Sequence, residues 1–279
     1  MANQTTAQPI REFDADRRNY TGFFTDLSKS FGQSAMWREL AWQDVKNRYR
    51  RSFLGPFWLT IGMLLFIAGL GPLYSQLFGQ SMTGYLPYLA IGLMFWNYIV
   101  VTIIELCASL HGNANLIHST RTLVGTMVLR TIYRNLIILA HNFAAIVIVL
   151  AFARWMPDAK ILWLIPGLAL LVLFQVFFGY FISIVCARYR DVESFLTSIL
   201  QMAFFISPVV WKVSQLPAGK RHYANFNPFA WMLDVVRSPW LHEVPSTMSW
   251  INLCVATGVF AALAIFVFGK FQSRISYWV

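Results

Sequence analysis

The sequence predicts an all-α integral membrane protein of six transmembrane helices. Three observations carry that expectation. The 279 residues are 57% hydrophobic and only 12% charged, with a mean hydropathy of +0.54, whereas a soluble domain carries roughly 25% charged residues. Six apolar runs approach the ~20 residues that a helix needs to cross about 30 Å of hydrocarbon. The 22 Lys and Arg residues divide unevenly between the two sides that those runs define. A transmembrane barrel is excluded, because no series of alternating segments about ten residues long is present.

Residues 1–55 read as an N-terminal arm and residues 56–279 as the six-helix domain. No apolar signal segment is visible in residues 1–30, so the first span itself is expected to direct insertion. Within the arm, residues 37–51 (WRELAWQDVKNRYRR) place Trp37, Leu40, Ala41 and Val45 near helical spacing among charges. That pattern predicts an amphipathic helix at the membrane interface, anchored by Trp37 and Trp42. The spans are expected at about 56–78, with Pro56 at a helix start, then 85–110, 135–153, 161–187, a short 195–211, and 250–269. Backbone groups in lipid find no water, so each run must satisfy its own hydrogen bonds as a helix. Between the second and third spans, residues 111–134 are helix-capable but too polar to face lipid. Residues 227–241 (NPFAWMLDVVRSPWL) are apolar yet broken by Pro228 and Pro239, which predicts a re-entrant or interfacial helix pair.

Sixteen of the Lys and Arg residues fall on the side of the N-terminus and six on the other. Both termini are therefore expected in the cytoplasm. The same asymmetry accounts for the net charge of +10 without nucleic acid as a partner.

Catalytic chemistry is not legible. Gly219-Lys220 and Gly269-Lys270 lack the upstream glycine and the following Ser or Thr of a phosphate-cradling loop, so the chain is expected to be no ATPase. His111, His118, His141, His222 and His242 lack close ligand spacing, and no metal site is expected. Cys107, Cys186 and Cys254 lie inside apolar runs and read as small buried hydrophobes.

Several residues stand out in this frame. Glu105 is the one acid deep in a predicted span, and such groups face the bundle interior; an ion pair with Arg130 or Arg134 and a direct gating role both fit it. Arg48, Arg50 and Arg51 flank the first span, where they set topology or contact lipid phosphates or a partner. Arg188, Arg190 and Asp191 form a turn after the fourth span, as a salt-bridged structure or a gate. Phe57, Trp58, Tyr74, Phe95, Trp96 and Tyr98 offer flat rings, on which the C–H faces of sugars can stack and slide; an interfacial belt is the plainer role. Asp234 and Arg237, three apart, would share one face of a short helix, fixing the outer helix pair or lining an exit.

Five segments in order carry a family resemblance: RYRRSFLGPFWLTIG (48–62), NANLI (113–117), RYRDVESFLTSILQMAFFISPVVW (188–211), the 227–241 segment, and ISYWV (275–279). From about Trp37 to the end, the chain resembles the membrane subunit of type-2 ABC exporters of polysaccharides, the O-antigen, capsule and teichoic-acid exporters. The resemblance implies a homodimer in the bacterial inner membrane with two copies of a separate ATPase. That partner would bind ATP and Mg, and this chain no cofactor. It further implies a lipid-linked glycan as substrate and a coupling helix between spans two and three, in which Asn113, Asn115, His118 and Arg121 would meet the ATPase. A type-2 exporter of a drug or lipid, and a stand-alone proton-coupled transporter, are the alternative readings.

Overall fold

The computed structural model describes residues 20–50, 57–120 and 122–279. Arg51 and Arg121, two of the residues singled out above, lie outside the described residues, as does Pro56. Among the described residues the fold is helical throughout, with no strand. Its α-helices are α1 (Thr21–Gly32), α2 (Ser34–Arg48), α3 (Phe57–Leu77), α4 (Met82–Ala108), α5 (Ala114–Thr120), α6 (Val124–Ala153), α7 (Leu164–Arg188), α8 (Asp191–Ile206), α9 (Pro228–Arg237), α10 (Thr247–Phe271) and α11 (Ile275–Trp278).

The helix α4 is the centre of the bundle. Ser81 caps it, its hydroxyl accepting from the Gly84 N–H at 3.3 Å. Residues 85–96 of α4 are then buried without interruption, so neighbours surround it on all sides. One apolar cluster fills the middle of the molecule around Leu89, Met94, Leu139, Leu171 and Leu233. A second lies nearer the face that carries α1 and α2 (the N-terminal face), around Phe23, Leu106, Met127, Tyr180 and Phe268. By contrast Leu65, Phe66, Ile148, Phe152 and Phe205 point outward, where lipid or another subunit takes the place of a core.

Five helical stretches are long and apolar enough to cross a membrane: α3, α4, α6, α7 with its leading 3-10 turn, and α10. The sixth expected span, 195–211, falls on α8 and the segment after it. At 16 residues α8 reaches only about 24 Å. Residues 207–211 are not helical, so their carbonyls need partners inside the protein. The Tyr85 hydroxyl donates to Val210 O at 2.6 Å, the Tyr88 hydroxyl to Pro208 O at 3.0 Å and Trp211 O at 2.7 Å, and Arg237 Nη1 to Pro208 O at 2.6 Å.

The helix that carries the expected third span, 135–153, starts earlier than the span itself: α6 begins at Val124 and runs 30 residues, about 45 Å. Arg130 and Arg134 made the segment look too polar, but both are paired, so the helix continues through them. The arm holds an additional helix, α1, whose polar sequence gave no warning. Trp37 is not an outward anchor; its indole donates to Ser30 O at 3.0 Å and packs edge-on against Tyr133, while Trp42 stays exposed. Cys254 is exposed, unlike buried Cys107 and Cys186, because an apolar run does not reveal which side faces protein.

On the far face, Asn227 caps α9 through its side chain, which accepts from the Phe229 N–H at 3.0 Å, with Pro228 in the first turn. The expected helix pair is α9 followed by the 3-10 turn Ser238–Leu241.

Candidate functional site

Two features converge at the N-terminal end of the bundle: a chain of ion pairs and a cavity. The helix α2 lays Ala41 and Val45 against the protein, which sets Asp44 and Arg48, one turn apart, beside α6 and α4. Asp44 receives a two-pronged contact from Arg130, Nη2 to Oδ1 at 2.6 Å and Nε to Oδ2 at 2.8 Å, the fork geometry that strengthens such pairs. Arg134 bridges, giving Nη1 to Asp44 at 2.9 Å and Nη2 to Glu105 at 2.8 Å. Glu105 also accepts from Arg48 Nη2 at 2.8 Å and from Asn135 Nδ2 at 2.6 Å. Arg130 Nη1 donates onward to Asn113 Oδ1 at 3.1 Å. Three helices and the start of the 111–120 segment are thereby joined through one network.

Glu105 therefore takes Arg134, one of its two expected partners, together with Arg48, whereas Arg130 belongs to Asp44. Asp44 and Asn135 were not anticipated: Asp44 and Arg130 lie 86 residues apart, and nothing local marks them.

The 111–120 segment is a 3-10 turn, His111–Asn113, followed by α5. Asn113 turns inward, its Nδ2 donating to Ser109 O at 2.9 Å while its Oδ1 accepts from Arg130. Asn115 and His118 face outward and are exposed. The start of α6 just beyond is held by α1. Asp26 accepts from the Gly125 N–H at 2.9 Å and from the Tyr180 hydroxyl at 2.8 Å. Burial pushes the Asp26 carboxyl above its ordinary range, against those hydrogen bonds. Gly125 is required there, since a Cβ would collide with the Tyr180 hydroxyl and the Ser30 side chain.

A cavity of about 520 Å³ lies between α3, α4, α6 and α8. Trp58, Phe66, Trp96, Tyr98 and Phe204 supply apolar faces, and Asn97, Asn135 and Asn142 supply amides. The Asn142 Oδ1 is buried without a partner, an unused acceptor in a half-apolar wall. Arg48 and Asn135 line the cavity as well, so the ion network forms part of its wall. Of the six aromatic candidates, Trp58, Trp96 and Tyr98 are brought together here. Phe95 is fully buried in the core, Phe57 is 62% exposed, and Tyr74 packs on Phe78 at 5.6 Å.

Arg188, Arg190 and Asp191 form no ion pair with one another among the described residues. The Arg188 guanidinium instead sits among the rings of Tyr189, Phe271 and Trp278, 5.1–5.5 Å from their centroids. Asp191 opens α8, where an acid suits the helix N-terminus, and Arg50 and Arg190 are exposed. Asp234 and Arg237 do not pair with each other. The Asp234 carboxylate accepts from the Ser246 N–H at 2.9 Å and the Ser238 hydroxyl at 2.5 Å. Arg237, only 6% exposed, stacks on the Tyr88 ring at 4.1 Å. Both hold the far-face helices in place, and both line a smaller cavity of about 340 Å³ there.

The family described as ABC-2 type transporter matches residues 36–240. The chain belongs to that family. Two O-antigen export system permease proteins RfbA from Klebsiella pneumoniae are 22% and 23% identical to it, over 83% of this chain and 90% of theirs. A third, from Myxococcus xanthus, is 21% identical over 63% of this chain and 68% of its own. The ABC-2 permease is thus the membrane component of a type-2 ABC exporter, a class that works with a partner ATPase, and it is a multi-pass membrane protein. The matched span opens in α2 and closes in the turn after α9. It contains the ion network and every cavity-lining residue named above, and it excludes α1, α10 and α11.

Proposed function

We propose that this ABC-2 permease exports a lipid-linked polysaccharide, of the O-antigen or capsule kind, across the bacterial inner membrane. It does so as a homodimer with two copies of a separate ATPase, which binds ATP and Mg. The N-terminal face is cytoplasmic, a reading supported by the Lys and Arg asymmetry. The exposed residues of α5, Asn115 and His118, with Arg121 beyond, dock on the ATPase. ATP-driven closure of the two ATPases displaces the 111–120 segment. Asn113 passes that displacement to Arg130, and the network passes it to α2, α4 and α6.

One observation carries the reading: Arg48 and Asn135 are at once members of the ion network and walls of the 520 Å³ cavity. A movement starting at Asn113 therefore reaches the cavity without crossing solvent. The ring faces of Trp58 and Trp96 suit a glycan, because stacking on an aromatic face imposes few directional bonds. The exposed apolar faces of α3 and α8, with Leu65, Phe66 and Phe205, suit a second copy of the chain. The names of the relatives support a glycan over a drug.

The test is replacement of residues 115–121 by a Gly-Ser segment, with the strain lacking the chain as control. Loss of surface glycan at unchanged drug tolerance, with the variant still inserted and its ATPase no longer stimulated, is the expected result. Normal glycan export by that variant, or no glycan defect in the control, would overturn the proposal.

A further inference from the structure

The contact between His111 and Glu193 lies outside the network described above. His111 Nε2 is 3.2 Å from Glu193 Oε2, and both side chains are half-buried. His111 opens the 3-10 turn at the head of the 111–120 segment, and Glu193 sits in the first turn of α8. The second imidazole nitrogen, Nδ1, is buried with no partner, so Glu193 is what offsets the burial of this ring.

The way α8 is held makes the contact matter. Of its sixteen residues only Leu200 is buried. Its far end is strapped through residues 207–211 to Tyr85, Tyr88 and Arg237. At its near end the preceding turn is gripped by the aromatic nest around Arg188, to which the C-terminal helix contributes Trp278. Between these two anchors the helix rests on the core along one side only, through Leu196, Leu200, Ala203 and Phe204, and Phe204 and Phe205 on it border two cavities.

We propose that the His111–Glu193 contact is the joint through which the 111–120 segment drives α8, and that both residues are positioning residues for transport. The inference rests on the coupling role assigned above to that segment. When the segment moves, Glu193 is pulled with it, and α8 tilts between its strapped far end and the Arg188 nest. A Glu at this position would favour the start of any helix through the backbone dipole; a helix-stabilising role alone is indifferent to what occupies position 111.

That difference sets the experiment. In full-length chain with Cys254→Ser, the exposed Ser198 of α8 is replaced by Cys, and its maleimide labelling is followed in membranes holding the complete transporter, with and without ATP and vanadate. Nucleotide should change the labelling rate by about fivefold or more, the lower range of coupling between linked sites. His111→Ala and Glu193→Gln should each flatten that change, and the exchanged pair H111E/E193H should bring it back. No nucleotide response in the parent chain, unaltered responses in the single variants, or an exchanged pair that inserts but stays flat would each overturn the joint. Should His111→Ala fail to insert, Glu193→Gln carries the test, because it keeps the side-chain size. Surface glycan is scored in the same strains. A responsive α8 without glycan export removes the substrate reading and upholds the joint.

Discussion

Replacing Glu105 by Gln isolates the centre of the ion network. The carboxylate accepts from Arg48, Arg134 and Asn135, and an amide can keep one acceptor oxygen while turning an N–H toward a guanidinium. Removing one partner of a fully buried pair costs about 3–5 kcal/mol, whereas an exposed pair contributes about 0–1 kcal/mol. Glu105 and Arg134 are 17% and 20% exposed and Arg48 is 44% exposed. The loss should thus fall between those limits, near ~2 kcal/mol, with most of it residing in the Arg134 contact. Thermal unfolding of the purified protein reads the total, and double-mutant cycles apportion it. Coupling between Glu105→Gln and Arg134→Gln should exceed about 0.5 kcal/mol and should be larger than coupling to Arg48→Gln. Additivity within about 0.3 kcal/mol for the Arg134 cycle, or stronger coupling to Arg48 than to Arg134, would refute the claim that the buried half of the network holds it together.

Asp26 predicts a pH dependence. Its folded carboxyl is raised above the ordinary value of 3.8, so the folded state binds the proton more tightly than the unfolded chain. Its contribution is fully present below that ordinary value and is lost as pH rises through the folded value. Asp26→Asn should flatten this decline and leave the protein at least as stable at neutral pH, as read from unfolding temperatures across the acid range. Gly125→Ala should destabilise by roughly 1–3 kcal/mol through overpacking, and Tyr180→Phe in the same chain should recover part of the loss in the same thermal assay. Trp58→Ala and Phe95→Ala should separate cleanly: the first, at an exposed ring of the cavity wall, should lower export with modest effect on stability. The second should empty a core site, costing roughly 3–5 kcal/mol, and reduce the amount of inserted protein on immunoblots.

How far the site could be read in advance depended on how local its causes were. Glu105 stood out because a carboxylate amid apolar residues is conspicuous at any position. Asp44 did not, because an acid in a polar arm is ordinary until α6 brings Arg130 to it from 86 residues away. Asp26 and α1 were missed for the same reason: the carboxylate acts by meeting Gly125 and Tyr180, 99 and 154 residues onward. The six aromatic residues looked equivalent, yet a step of one residue along α4 rotates a side chain by about 100°, which takes Phe95 into the core and Trp96 to the cavity. Arg237 and Asp234 share a helix face in the sequence, but each finds a nearer partner in the folded far-side segment.

Composition and run lengths were enough to determine a helical membrane bundle, because crossing a bilayer imposes rules on each segment separately, and the family was legible only in the resemblance of five short segments. The tertiary structure alone decided which apolar faces meet protein and which meet lipid, since both surroundings accept the same side chains. It alone decided the partners of the charges, because an ion pair forms between groups that packing brings within about 4 Å, however far apart they stand in the chain.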